Sequence, residues 1–317
     1  MPERLPEGRG SRRARRGWRV RVPASSANLG PGFDALGLAL EIPLTVRFRP
    51  WPELDIRATG RDAEMIPPGE NNLIYQTALR VAADVGRTLP KVQMRIENEI
   101  PLGRGLGSSA AALSAGVIVA DCLLGLNWPV DRLLDEAARI EGHPDNVAAC
   151  MLGSIVASAI DRDGITHAIR LGLPEWCGVA VVVPSFILPT VEARQVLPSH
   201  YSKADAIFNI QRAALLIAAL STGDRRAFPT ALEDRLHQPY REALVPGLSE
   251  ILKLRAPGLL GCALSGAGPS VLVFFEKGAE TVSGLVRDIF QAKGQAAEVL
   301  PAAIAASGFT LMEEEME

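Results

Sequence analysis

Cysteine is scarce in this chain of 317 residues: Cys122, Cys150, Cys177 and Cys262 are the only four, and no two form a Cys-x-x-Cys pair. That spacing disfavours a disulfide framework and a structural zinc site, and it fits a reducing cytoplasm. Aromatic residues are also few, at 5%. Neither sign of charge dominates, since 33 Lys and Arg against 36 Asp and Glu leave a formal net charge of -3. A nucleic-acid partner held by global charge is therefore disfavoured. No apolar run approaches a membrane span, and no apolar segment follows the basic start to make a secretory signal. A cytoplasmic globular protein without a membrane partner is expected, and the length predicts about two domains.

The charged ends carry no pattern that builds structure. Arg12-Arg13-Ala14-Arg15-Arg16 has neither aromatic interleaving nor helical period, so residues 1–17 are expected to be a solvated basic arm. Glu313-Glu314-Glu315-Met316-Glu317 is expected to be a similar tail.

Glycine is plentiful by contrast, and it is concentrated where it informs. Pro101-Leu102-Gly103-Arg104-Gly105-Leu106-Gly107-Ser108-Ser109-Ala110-Ala111 follows an alternating run, Val92 to Ile96, and precedes an alanine-rich run reaching Leu124. The order predicts strand, glycine loop, helix. Glycine at every second position lets the backbone turn tightly and bring its N–H groups close to a ligand. Ser108 and Ser109 then open a helix, whose unpaired N–H groups and dipole favour an anion such as a polyphosphate. The common phosphate loop requires lysine before the hydroxyl residue, where this chain has Ser108. A glycine turn with serine caps is the simpler structural alternative.

Elsewhere the chain alternates strands and helices. Pro23 to Leu40 is rich in small residues, glycine and proline and reads as a tight loop after a short strand, Trp18 to Pro23. Asn28 and Asp34 are its side chains best suited to grip a ligand, although both residue types also favour turns. Thr45–Phe48 and Leu54–Ala58 read as a strand pair. Helices are predicted over Leu73–Val85, with Asn71 or Asn72 as N-cap, and over Asp131–Glu141, stopped by Gly142-His143-Pro144-Asp145-Asn146. Asp161-Arg162-Asp163-Gly164 reads as a hairpin turn, and the domain boundary is set beside it, giving halves 18–165 and 166–317. In the second half, Val179–Val183 reads as a buried strand, Thr190–Pro198 as a loop, and Ala204–Thr222 and Leu248–Arg255 as helices. Asp234 to Arg241 is polar and broken by proline. Gly261 to Ser270 is a second glycine loop leading into the strand Val271–Phe275.

Three of these stretches, Pro23 to Asp34, Pro101 to Ala112 and Leu264 to Ser270, resemble the motifs of the GHMP small-molecule kinases. The first stretch, together with Glu141-Gly142-His143-Pro144-Asp145-Asn146, resembles the branch of that family acting on L-homoserine. The resemblance runs from about Trp18 to the end. It implies a two-domain α+β fold, with an N-terminal half like domain 2 of ribosomal protein S5 and a ferredoxin-like C-terminal half. It also implies transfer of the γ-phosphoryl of ATP to the side-chain hydroxyl of L-homoserine, for threonine synthesis, with Mg2+ accompanying the nucleotide. By analogy a homodimer is possible.

The same resemblance assigns roles. Pro101, Leu102, Gly103, Arg104, Gly105, Leu106, Gly107, Ser108, Ser109 and Ala110 would hold the ATP phosphates, and Asn72 would approach the adenine. Ser109 would bind the metal with a glutamate, Glu136 being favoured over Glu141. Arg194 and Arg241 would take the substrate carboxylate, since planar guanidinium forks suit bidentate contacts, and Asp34 the ammonium. Asn28 and Asn146 would orient the hydroxyl, with His143 and Gly266 lining the pocket. Mevalonate-type members present an aspartate base where this chain carries Asn146, so catalysis without a strong side-chain base is expected.

Overall fold

The computed structural model describes residues 15–316. Strands β1 (Arg15–Asn28) and β2 (Gly32–Pro50) form one long antiparallel hairpin, so Pro23–Leu40 is not the expected loop. Ala24, Ser25, Ser26 and Ala27 are buried and pair with Leu40, Ala39, Leu38 and Gly37. The small side chains allow close packing: a Cβ on Gly37 would stand 2.2 Å from the carbonyl oxygen of Asp145. Irregular pairing at Pro23/Ala24 and Ala27/Asn28 bends the hairpin, as bulges do beside functional sites.

The first half continues through β3 (Asp55–Gly60), α1 (Leu73–Asp84), β4 (Val92–Asn98), α2 (Ser108–Leu124), α3 (Val130–Glu141), α4 (Asp145–Leu152), β5 (Ile155–Ile160) and β6 (Thr166–Leu171). Thr45–Phe48 and Leu54–Ala58 do not pair with each other. Strand β4 lies between them, antiparallel to β2 and parallel to β3, because α1 supplies the crossover that parallel strands need. Helix α1 buries Ile74, Ala78, Val81 and Ala82 at helical spacing, whereas α2 is apolar on nearly every face and buried accordingly.

The second half comprises β7 (Cys177–Pro184), α5 (Thr190–Gln195), α6 (Lys203–Thr222), α7 (Phe228–Ala231), α8 (Gln238–Arg241), α9 (Leu248–Leu252), β8 (Leu259–Leu264), β9 (Val271–Glu276), α10 (Val282–Ala292) and β10 (Ala297–Ala302). Its sheet has the order β10-β7-β9-β8, all neighbours antiparallel, which is the β-α-β-β-α-β arrangement of ferredoxin-like domains. Thr190–Gln195 is helical where a loop was expected. Strand alternation sends Val179, Val181 and Val183 into a core shared with the first half, and Ala180 and Val182 into a second core under α9 and α10.

Three further expectations change. Strand β6 pairs with β5, so a boundary at residue 165 cuts a hairpin, and the first sheet extends through Leu171. The acidic end is not a solvated tail. Thr310–Met316 is strand β11, paired antiparallel with β1 from Arg15 to Arg21, and Glu314 lies 3.6 Å from Arg19 and 3.4 Å from Arg47. Strand pairing and the Arg19–Glu314 contact thus join the two ends, with Arg47 reaching Glu314 from β2, whereas residues 1–14 of the basic arm, and Glu317, lie outside the described residues. Finally, α6 is by length and composition apolar enough to cross a membrane, contrary to the expectation of no such run. It nevertheless carries Lys203, Asp205 and Arg212 and packs on α7, with Asn209 bonded to Pro31 and Asp234.

Candidate active site

Gly107, not a serine, is the N-cap of α2, and no side chain caps this helix. Gly103, Gly105 and Gly107 have φ values of 66°, 75° and 65°, in the left-handed region where a Cβ is penalised. The alternation makes a concave run of amides. Its carbonyls point to the second half and to β1: Gly103 O accepts from Leu188 N, Arg104 O from Ser270 N, Gly105 O from Ser265 Oγ and Leu106 O from Ser25 N. Among the described residues, the amides from Gly103 to Ala110 donate to no protein acceptor. The free donors and the helix dipole together favour an anion.

Below the loop, the two halves meet around a cavity of about 130 Å³. It is lined by the loop from Gly103 to Ala110, by Asn28 and Asp34, by Glu141, His143, Asp145 and Asn146, and by Arg194, Arg241 and Gly266. Beside it, a second cavity of about 240 Å³ is lined mainly by Leu44, Met65, Ile66, Leu73, Ile74, Ile96 and Leu102. Ser108 and Ser109 border both cavities. An apolar slot, an amide cradle and a charged cavity therefore follow one another around the start of α2.

The charged cavity is organised by pairs. Asp34 accepts from both terminal nitrogens of Arg194, at 2.7 Å and 3.2 Å. Burial alone would lower the Arg194 pKa, but Asp34 outweighs it and raises it. Arg241 is 1% exposed and donates from Nε to Ala193 O and from Nη1 to Gly266 O, while its Nη2 has no protein partner among the described residues. Burial first, then repulsion by Arg194, brings its pKa down to about 10. Both guanidiniums stand over the Phe33 ring, at 5.6 Å and 5.7 Å from its centroid. Asn28, with φ of 72°, donates to Gly266 O and accepts from Asp34 N, so it joins the β1–β2 turn to the β8–β9 loop.

The turn between α3 and α4 supplies the opposite wall. Asp145 is buried and accepts from Asn146 N at 2.7 Å, with His143 Nδ1 at 2.8 Å. Burial would lower the His143 pKa, but the bond to Asp145 and its charge raise it. Asn146 Oδ1 accepts from Ser25 Oγ at 2.8 Å. Glu141 lines the cavity, and burial, helped by the charge of Asp145, raises its pKa. Glu136, the glutamate favoured from sequence as metal ligand, does not line it. Glu136 is 2% exposed and accepts from Arg139 at 2.5 Å, with Arg132 3.5 Å away.

Asn72 carries a structural role where it stands. It borders the apolar cavity, but its Oδ1 accepts from Ile74 N and Tyr75 N, and its Nδ2 donates to Pro67 O. Its amide caps α1 and fixes the preceding turn, with one N–H of Nδ2 left over.

The sequence matches the GHMP kinases N terminal domain family over residues 72–154 and the GHMP kinases C terminal family over residues 216–292. It is 65% identical to the homoserine kinase of Solibacter usitatus, over 92% of this chain and 96% of that protein. It is 45% identical to the homoserine kinase of Deinococcus radiodurans, over 91% of this chain and 95% of that one. The chain belongs to the homoserine kinases of the GHMP family.

The fold agrees with that membership. The crystal structure of homoserine kinase from Cytophaga hutchinsonii superimposes with a TM-score of 0.81 at 28% identity, covering 93% of this chain and 97% of that one. Streptococcus pneumoniae phosphomevalonate kinase, at 14% identity, shares the fold with a TM-score of 0.65 over 90% of this chain and 98% of its own. Sequence reasoning missed several residues that hold the kinase site together. Phe33 lay inside a quoted motif without a role, Ser265 inside the second glycine loop, and His237 in a stretch read only as polar and broken. Asp62, which accepts from Leu102 N and Arg104 Nη1, is remote in sequence from the loop it anchors and had no local signal.

Proposed function

We propose that this chain transfers the γ-phosphoryl group of ATP to the side-chain hydroxyl of L-homoserine, giving ADP and O-phospho-L-homoserine. The observation that carries the reading is the Asp34–Arg194 pair, with buried Arg241, in a cavity walled by the lysine-free amide loop. A zwitterionic amino acid replaces each partner of that pair with its own complement. Its ammonium meets Asp34 and its carboxylate meets Arg194 and the free Nη2 of Arg241, so each charge stays compensated. Mevalonate, which has no ammonium, would leave Asp34 without that exchange.

The free amides from Gly103 to Ala110 take the triphosphate, and the apolar cavity takes the base. Ser109 and Glu141 offer oxygen ligands of the kind Mg2+ prefers, and no described residue donates a hydrogen bond to the Glu141 carboxylate. They would hold the ion, which when bound neutralises charge on the phosphates. Asn28 and Asn146 orient the attacking hydroxyl. Asp145 is occupied by His143 and Asn146 N, which suits a reaction that depends on positioning more than on a strong base.

A coupled ADP-release assay with homoserine, mevalonate and galactose tests the reading, with phosphohomoserine identified as product. Turnover confined to homoserine is expected. Turnover of mevalonate or galactose at comparable kcat/KM would refute it.

A further inference from the structure

We propose that His237 is a positioning residue for the substrate carboxylate: it holds the Arg241 guanidinium and ties it to the turn carrying Asn28 and Asp34. This rests on the reading of Arg241 given above. His237 is fully buried. Its Nε2 lies 2.7 Å from the carbonyl oxygen of Gly30, which can only accept, so Nε2 carries the proton. Nδ1 is then an acceptor, and Nη1 of Arg241 donates to it at 3.0 Å. One imidazole in one tautomer thus connects the β1–β2 turn to the arginine. Burial, ahead of any charge, lowers the His237 pKa, in keeping with a neutral ring.

The residue is itself held in place. Phe33 stacks on it with centroids 5.3 Å apart. His237 N donates to Asp234 Oδ2 at 3.0 Å, and Asp234 Oδ1 accepts from Asn209 Nδ2 at 2.8 Å. Asn209 Nδ2 also donates to Pro31 O at 3.0 Å, next to Gly30. A rigid mount matters because Arg194 stands beside the same Phe33 ring and repels Arg241. Three acceptors oppose that repulsion, and two are backbone carbonyls, of Ala193 and Gly266. His237 is the side chain among them. Without it, Nη1 keeps only its bond to Gly266, and the orientation of Nη2 toward the cavity loosens.

The test compares His237→Phe, which keeps the stacked ring but loses both nitrogens, with His237→Asn, whose side-chain oxygen can replace Nδ1 as acceptor. His237→Phe should raise KM for homoserine about 10-fold, the size expected for one hydrogen bond to a charged group. KM for ATP and kcat should stay within about 3-fold, and His237→Asn should recover most of the loss. In an Arg241→Lys background, His237→Phe should add less than about 2-fold, because the two changes remove one interaction. If Arg241→Lys raises KM for homoserine while His237→Phe does not, this inference is overturned and the reading of Arg241 survives. If Arg241→Lys leaves that KM unchanged, the reading of Arg241 fails. Additive effects, or equal losses in both KM values and kcat, would show a merely structural role and overturn the inference. Should His237→Phe not fold, His237→Gln, which reaches the Nε2 position and leaves Nδ1 unreplaced, takes its place with the same expected shift.

Discussion

Two glycines of the amide loop, two positions apart, separate backbone strain from displacement of the site. Gly103 and Gly105 both have positive φ, so alanine at either should cost stability by about 1–2 kcal/mol. Their surroundings differ. A Cβ on Gly103 would stand 2.7 Å from Cγ2 of Ile187, the end of a side chain that is 44% exposed and free to rotate outward. A Cβ on Gly105 would stand 2.3 Å from the carbonyl oxygen of Ser265 and 2.7 Å from that of Gly268. The Ser265 oxygen cannot give way easily, since Gly268 N donates to it at 2.8 Å. Ordinary contact begins at 3.4 Å, so the loop must withdraw from the second half by about 1 Å. The triphosphate cradle and the Arg241–Gly266 wall would then no longer face each other. A misplacement of that size costs about 10²-fold in kcat/KM, so Gly105→Ala should lose about 10²-fold. Gly103→Ala should stay within about 10-fold, as expected if strain of about 1.4 kcal/mol were felt in full at the site. Thermal unfolding reads the shared strain, and coupled ADP release with varied ATP and homoserine reads the displacement. Equal losses of kcat/KM in the two variants would refute the reasoning.

Two other predictions follow from charged groups. Glu141→Gln should raise the Mg2+ concentration needed for half-maximal activity. Glu136→Gln should leave that requirement unchanged and lower stability by about 1–3 kcal/mol, because it breaks a buried charge-assisted contact with Arg139; a Mg2+ titration of both variants and their melting temperatures check this. Asp55 is held well below the usual carboxylate range, first by the hydrogen bond from Arg95 and then by that from Gln93. A depressed folded pKa contributes stability above the unfolded value of about 3.9 that is lost as pH falls toward the folded one. Asp55→Asn should therefore be less stable than the parent at pH 7, with the gap shrinking through the acid range; a gap independent of pH in denaturant melts would contradict it.

Local pattern was sufficient where a few neighbouring residues carry the whole signal. The periodicity of Leu73–Asp84 and Val130–Glu141, and the strand-loop-helix order around Gly103 to Ser109, needed no distant partner and were legible. The choice of Asp34, Arg194, Arg241 and Asn146 came instead from the resemblance to the family's motifs, since singly such residues are common on surfaces and in turns. Local reading failed where small residues mean close packing. Pro23–Leu40 has the composition of a loop, yet Ser25, Ser26 and Gly37 are small because the sheet lies against α4 and the β8–β9 loop.

What the sequence by itself determined was chemistry: a run of alternating glycines without lysine ahead of a helix, and membership of a kinase family. What only the tertiary structure decided was pairing. It set Glu141 rather than Glu136 at the cavity, made Asn72 the cap of α1, joined the basic and acidic ends as neighbouring strands, and mounted Arg241 on His237. The physical reason is range. Propensity, capping and backbone strain act over a few residues, whereas burial and hydrogen-bond partnership depend on which distant segments the shared core brings together.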